Sequence, residues 1–253
     1  VRLAYRLDGP EGAPLLVLSP SLGTTTSLWD GQLAGLAARF RVLRHDLPGH
    51  GASPPPDGPV RIADIGRGVL DLLDELGVER ASFCGISIGG MVGMWLGANA
   101  PQRIERLALC CTGARLGSRA DYDARAELVR RVGTSVTLDG ARERWFTPAF
   151  RDGPEAQRIL EELAALPPEG YAACCEAVGD WDFRGELGRV APPTLLLFGA
   201  GDPVTPADVR ETLLDGIPGA RTAVVPNAAH LANVEQPAAF TAAVLAFLGE
   251  ETS

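Results

Sequence analysis

The feature that most constrains this 253-residue chain is a rhythm of short strand-like runs alternating with stretches of helical periodicity, broken once. Residues 14–19 (PLLVLS) form an apolar run of strand length, suited to a parallel strand buried on both faces. Residues 40–45, 81–86 and 104–111 read as further strands. Between them, Ile65, Val69, Leu72, Leu73 and Leu76 recur at helical spacing, and Gly77 supplies a stop. Residues 91–98 repeat the helical pattern and end near Pro101. Alternation of this kind predicts a mostly parallel sheet flanked by helices. From about residue 113 to residue 180 the strand-like runs vanish, and helical patterns over 121–132, 155–166 and 171–178 take their place. The sheet pattern then resumes with strands at 193–199 and 220–225 and helices at 206–215 and 237–248. The expectation is an α/β core built from residues 1–112 and 181–253, with residues 113–180 inserted as a helical cap.

Composition narrows the function classes. The net charge of −9 argues against a nucleic-acid surface, which needs clustered positive charge. All 23 basic residues are arginine, a bias expected of a GC-rich bacterial genome. The five cysteines (Cys84, Cys110, Cys111, Cys174 and Cys175) include two adjacent pairs and match neither a disulfide framework nor a zinc site, so buried reduced thiols are expected. Residues 1–10 hold no apolar signal core, and no run reaches the roughly 18 apolar residues of a membrane span. A cytoplasmic protein without metal or cofactor is expected, with no nucleic-acid or membrane partner.

The chemistry is signalled by Gly85-Ile86-Ser87-Ile88-Gly89, which follows a predicted strand and precedes a predicted helix. That is the setting of a G-x-S-x-G nucleophile elbow, a tight turn that lifts the serine hydroxyl above the strand ends. A serine needs a base. Of the three histidines, His45 and His50 precede the elbow, and only His230, between the last strand and the last helix, fits the chain order Ser, acid, His. The acid should follow a strand between them, which selects Asp202 in Phe198-Gly199-Ala200-Gly201-Asp202-Pro203 over Asp208 within the next helix. An oxyanion hole needs two backbone N–H donors. Ile88, after the nucleophile, should supply one, and Leu22, in the loop after the first apolar strand, the other.

These residues resemble a known family. Ser21-Leu22-Gly23, Asp46-Leu47-Pro48-Gly49-His50-Gly51, the elbow, Glu143-Arg144-Trp145-Phe146-Thr147-Pro148, Tyr171-Ala172-Ala173-Cys174-Cys175 and the segment from Ala229 through His230 to Pro237 are similar to those of the 3-oxoadipate enol-lactonases, members of the α/β-hydrolase superfamily. The elbow and the Asp-x-Pro-Gly-His-Gly turn are widely shared, whereas the segments around Arg144 and Tyr171 lie in the cap and carry the specificity. Pro20 departs from the usual loop. The resemblance implies hydrolysis of a small anionic lactone in the β-ketoadipate route of aromatic breakdown. It also implies a functional link or fusion to a carboxymuconolactone decarboxylase, with no such second segment expected within these residues.

An acidic protein acting on an anion needs local positive charge. Residues 115–151 carry eight arginines and five acids, a balance of +3 that leaves −12 elsewhere, so a cap of positive sign could focus an anion toward the pocket. Arg144 is the preferred carboxylate partner and Arg142 the second, since a guanidinium binds a carboxylate with two parallel bonds. The same arginines suit a solvated helix face with i,i+4 pairs. Trp145 suits a pocket wall and a packing role equally, while Trp29 and Trp181 are expected to be structural. The triad also serves carboxylesterases, carbon–carbon bond hydrolases and perhydrolases, and some hormone receptors of this fold retain it. By itself it specifies acyl transfer and not substrate.

Overall fold

The computed structural model describes residues 1–250. Its elements run β1 (Tyr5–Asp8), β2 (Leu15–Ser19), α1 (Asp30–Leu36), β3 (Arg41–His45), α2 (Ile62–Glu75), β4 (Ala81–Ile86), α3 (Ile88–Asn99), β5 (Ile104–Cys110), α4 (Arg119–Val132), α5 (Leu138–Trp145), α6 (Pro154–Ala164), α7 (Pro168–Gly179), β6 (Thr194–Gly199), α8 (Ala207–Gly216), β7 (Arg221–Val225), α9 (Ala232–Glu235) and α10 (Pro237–Leu248). Among the described residues no helix is long and apolar enough to cross a membrane.

The seven strands form one sheet in the order β1-β3-β2-β4-β5-β6-β7. Only β1 is antiparallel, paired with β3; every other neighbouring pair is parallel. All six expected strands are present. Residues β2, β4 and β6 are buried throughout, because helices cover both faces of a parallel sheet. The short strand β1 escapes the sequence pattern: its four residues, YRLD, are at most half-buried at a sheet edge. The chain runs from β2 outward to β3, then crosses back to β4 and continues the other way. The strand order therefore reverses between β2 and β4, and a crevice opens beyond their C-terminal ends, where open α/β sheets bind ligands.

Local chemistry sets the helices. Helix α2 buries Ile62, Ile65, Val69, Leu72 and Leu73 on one stripe, and the Asp64 carboxylate accepts from the Arg61 N–H at its start. Helix α4 begins at Ser118, whose hydroxyl accepts from the Asp121 N–H. Helices α4 to α7 form the inserted cap, with α4 packed on α7. All five cysteines are buried and none bridges another; the Cys84 and Cys110 sulfurs lie 3.8 Å apart.

The cap corrects one expectation. Residues 113–180 as a whole hold nine arginines and twelve acids, a balance of −3, because acids from residue 152 onward outweigh the earlier excess. Arg115 pairs with Asp182, Arg119 with Asp123 and Asp180, and Arg130 with Glu169 and Glu176. Most cap arginines are spent on such pairs, so the cap as a body exerts no positive field.

Two histidines belong to the core. His45 at the end of β3 and His50 in the following turn are wholly buried, and burial pushes each imidazole down to about 4. Their folded values lie below the unfolded one, so each stabilises the fold above the unfolded pKa and loses that contribution as pH falls toward the folded value. Denaturant unfolding free energy should therefore fall between about pH 6.5 and about pH 5, with a slope approaching two protons taken up on unfolding. A flat curve in that window would show that these histidines are charged in the folded protein.

Candidate active site

Ser87 sits between β4 and α3 with φ 57° and ψ −117°, a conformation that L-residues avoid. Three bonds hold it there. Its N–H donates to the Cys110 carbonyl (3.0 Å), its carbonyl accepts from the Thr112 hydroxyl (2.7 Å), and the same carbonyl accepts from the Met91 N–H (3.1 Å). The flanking glycines are dictated by contact. A Cβ on Gly85 would lie 2.2 Å from the Gly89 oxygen, and one on Gly89 would lie 2.3 Å from the Ser19 oxygen, so nothing larger allows the turn to close against β2.

The expected partners come to the same place. The His230 Nδ1 lies 3.0 Å from the Asp202 carboxylate, and both side chains are buried. The acceptor at Nδ1 is a carboxylate, so Nδ1 carries the proton and Nε2 is left free to act as a base. Asp202 also accepts from the Val204 N–H (2.8 Å) and the Thr205 hydroxyl (2.7 Å). Burial by itself opposes its charge, yet His230 and these two donors together hold its carboxyl below the usual carboxylate value. Asp208 is exposed in the first turn of α8 and takes no part.

Ser87 and His230 share a pocket of about 250 Å³ with Ser21, Leu22, Tyr122, Arg125, Arg144, Trp145 and Tyr171. A larger recess of about 850 Å³ lies between the N-terminal segment and α2, but it brings together no nucleophile and base. Leu22 lines the pocket in the loop after β2, and Ile88 opens α3 directly after the serine. Trp145 fills both roles left open for it: it lines the pocket, and its ring meets Phe146 edge-on at 6.3 Å between centroids. Trp29 packs on Phe240 and Trp181 stacks on Phe183, both away from the serine.

The arginines sort themselves. Arg144 reaches the pocket, its guanidinium lying over Gly140 one turn earlier in α5. Arg142 does not: its guanidinium donates to the Arg151 carbonyl and pairs with Asp152, which removes it from the substrate side. In its stead the structure supplies Arg125 of α4, over the Tyr122 ring at 5.0 Å. Among the described residues neither Arg125 nor Arg144 has an ion-pair partner, although both are half-buried. Partial burial, reinforced by the Arg125 charge, lowers the Arg144 pKa. Two guanidiniums held together in this way, with no ion-pair partner among the described residues, give the pocket a local positive charge. Nothing in the sequence separates Arg125 from the other arginines of its helix; only folding shows which of them lacks an acid.

One further residue lay outside the sequence reading of roles. Glu235 is buried, and its carboxylate accepts from the Ala229 N–H (2.6 Å), the Thr147 N–H (3.0 Å) and the Thr147 hydroxyl (2.6 Å). The Leu231 N–H also donates to the Trp145 carbonyl (3.0 Å). The His230 loop and the end of α5 are thus joined on both sides of the imidazole.

The parallel sheet with its order reversal, the serine elbow and the inserted helices define a hydrolase of the α/β type. The chain belongs to the alpha/beta hydrolase family, whose sequence profile matches residues 16–244. Within it, the chain is similar to 3-oxoadipate enol-lactonase 2 of Acinetobacter baylyi, at 42% identity over 98% of this chain and 93% of that protein. Among solved structures it resembles the enol-lactonase from Burkholderia xenovorans LB400, with TM-score 0.94, 40% identity and coverage of 98% of this chain and 96% of that one. It also resembles a hydrolase from Pseudomonas aeruginosa PA01, with TM-score 0.94, 49% identity and coverage of 98% and 94%.

Replacing Glu235 would leave the buried Ala229 N–H and the part-buried Thr147 N–H without an acceptor. Glu235→Ala should lower unfolding stability by about 3 kcal/mol in a urea titration. A loss within about 0.5 kcal/mol, the range of an ordinary surface substitution, would show that solvent or a neighbour replaces the carboxylate.

Proposed function

We propose that this protein opens 3-oxoadipate enol-lactone to 3-oxoadipate through an acyl-enzyme on Ser87, in the β-ketoadipate route of aromatic breakdown. The observation that carries the reading is the pair Arg125 and Arg144, which face the same small pocket as Ser87 and His230 with no ion-pair partner among the described residues. Similarity over nearly the full length to 3-oxoadipate enol-lactonases supports it. The pocket, at about 250 Å³, falls just below the roughly 300–1,000 Å³ of drug-sized ligand sites and suits a compact ligand.

In this reading His230 Nε2 takes the Ser87 proton as the oxygen attacks the lactone carbonyl, and Asp202 stabilises the imidazolium that forms. The Leu22 and Ile88 N–H groups receive the developing oxyanion. The carbonyl–oxygen bond of the ring then breaks. The leaving enol oxygen stays tethered to the acyl group and takes the proton from His230. An enolate is a weaker base than a simple alkoxide, so this step needs less assistance than ordinary ester cleavage. Water, deprotonated by His230, releases the acid from Ser87, and the free enol tautomerises to the 3-oxo acid. Throughout, the substrate carboxylate rests against Arg144 and Arg125, with Trp145 as the wall beside it. Binding energy from that remote carboxylate orients the ring over the serine.

The direct test is loss of lactone absorbance with enol-lactone generated in situ; no acceleration over the spontaneous rate would sink the lactonase reading. Ser87→Ala should lower kcat by about three orders of magnitude or more. Near-normal turnover would place the nucleophile elsewhere. Arg144→Ala and Arg125→Ala should each lower kcat/KM for the carboxylated lactone by about tenfold or more while leaving an uncharged ester such as p-nitrophenyl acetate within about threefold. Equal losses on both substrates would assign these arginines to cap packing.

A further inference from the structure

The turn formed by residues 46–51 contributes no group to the acyl-transfer steps, yet it holds a buried imidazole whose two nitrogens are both engaged. His50 Nδ1 lies 3.0 Å from the Pro48 carbonyl oxygen, which can only accept, so Nδ1 carries the proton. Nε2 is then the acceptor, and it faces the Gly23 N–H at 3.2 Å. That N–H belongs to the loop that carries Leu22. Residues 21–24 form a β-turn: the Thr24 N–H donates to the Ser21 carbonyl at 3.2 Å, and Gly23 has φ 84° at the third position, as type II turns require. Type I and type II turns differ by a flip of the central peptide, here Leu22–Gly23, which is the peptide whose N–H His50 receives. Flipping it would change Leu22 ψ and Gly23 φ and withdraw the Gly23 N–H from the imidazole, releasing the bond that ties the loop carrying Leu22 to the buried turn of residues 46–51.

We infer that His50 is a positioning residue of the oxyanion hole: by accepting from the Gly23 N–H it fixes the turn that presents the Leu22 N–H to the carbonyl under attack. This rests on the reading of Leu22 and Ile88 as the oxyanion donors. The imidazole is suited to the task because it is neutral, and burial keeps it so by pushing its pKa down to about 4. It is also held from the cap side, where Tyr171 stacks on it at 6.5 Å and 27°. A Cβ on Gly23 would meet the Tyr171 ring edge at 3.2 Å, so oxyanion loop, imidazole and cap tyrosine form one packed unit. The pocket face of that unit lies beside Arg125.

Three variants separate positioning from packing. Gln places its carbonyl oxygen near the Nε2 position and keeps an acceptor for Gly23. Asn reaches only the Nδ1 position, and Leu keeps bulk alone. Two quantities are measured on p-nitrophenyl acetate, an ester with no carboxylate for the arginines to bind: kcat with KM, and the inhibition constant of a trifluoromethyl ketone, whose adduct with serine carries an oxyanion. His50→Leu and His50→Asn should lower kcat by about tenfold or more with KM within about threefold, and should weaken the ketone by a similar factor. His50→Gln should recover most of both. Gln no better than Asn, or an unchanged ketone constant despite a fall in kcat, would overturn the inference. Should His50→Leu fail to fold, the order of Gln and Asn still decides. Wild-type enzyme that turns over the neutral ester but not the lactone would remove the substrate reading and leave this comparison of variants fully decisive for His50.

Discussion

The site hangs on one strained residue. Ser87 adopts a backbone conformation costing about 1–3 kcal/mol, and the surrounding strands hold it there. Its N–H is bonded to Cys110 at the end of β5; the next residue, Cys111, donates to Leu197 of β6; and beyond β6 the Gly201 N–H donates to the Ala228 carbonyl, two residues before His230. A line of backbone hydrogen bonds thus runs across the strand ends from the serine, past the loop of Asp202, to the loop of His230. The three side chains come from segments far apart in sequence. Their relative positions are set largely by main-chain bonds between neighbouring strand ends, and this is why a parallel sheet can hold such an arrangement with little flexibility.

Much of this was legible in the sequence, and the reasons are physical. Buried parallel strands such as LLVLS and TLLLFG must be apolar at every position, so they stand out from their surroundings. Ser87, Asp202 and His230 could be placed because each lies just past a strand end, and strand ends are what the alternating pattern locates. The elements it missed lack that contrast. Strand β1 is a polar edge, α1 carries two glycines in seven residues, α5 is short and charged, and α9 is a single turn. The substrate side of the pocket was only partly readable. Arg144 and Arg142 lie two residues apart on one helix, and which of them meets an acid depends on Asp152, brought there by the chain beyond α5. Arg125 was indistinguishable from its neighbours for the same reason: pairing is a tertiary property.

That difference recasts the electrostatics. The protein is acidic overall, and its cap is slightly acidic too. Paired surface charges are screened within about 10 Å at ordinary salt and contribute little at a distance. A half-buried pair of guanidiniums with no ion-pair partner among the described residues acts over a few ångströms, inside the pocket. In the proposed reading, attraction for an anion is therefore local to the pocket and compatible with a negative net charge. Tyr122 and Tyr171 flank these arginines with apolar faces, which limits water around the charges and strengthens their pull.

The bonds from Glu235 to Thr147 and from Leu231 to Trp145 carry a lesson for how such enzymes diversify. The cap is an insertion by topology, but its helix α5 shares hydrogen bonds with the loop that bears His230. Exchanging the cap for that of a relative would import a new pocket wall and at the same time disturb the loop that positions His230. The pocket wall and the His230 loop are coupled here, so a chimaera that keeps both in place must carry residues 145–147 and 229–235 as one block, although more than eighty residues separate them in the chain.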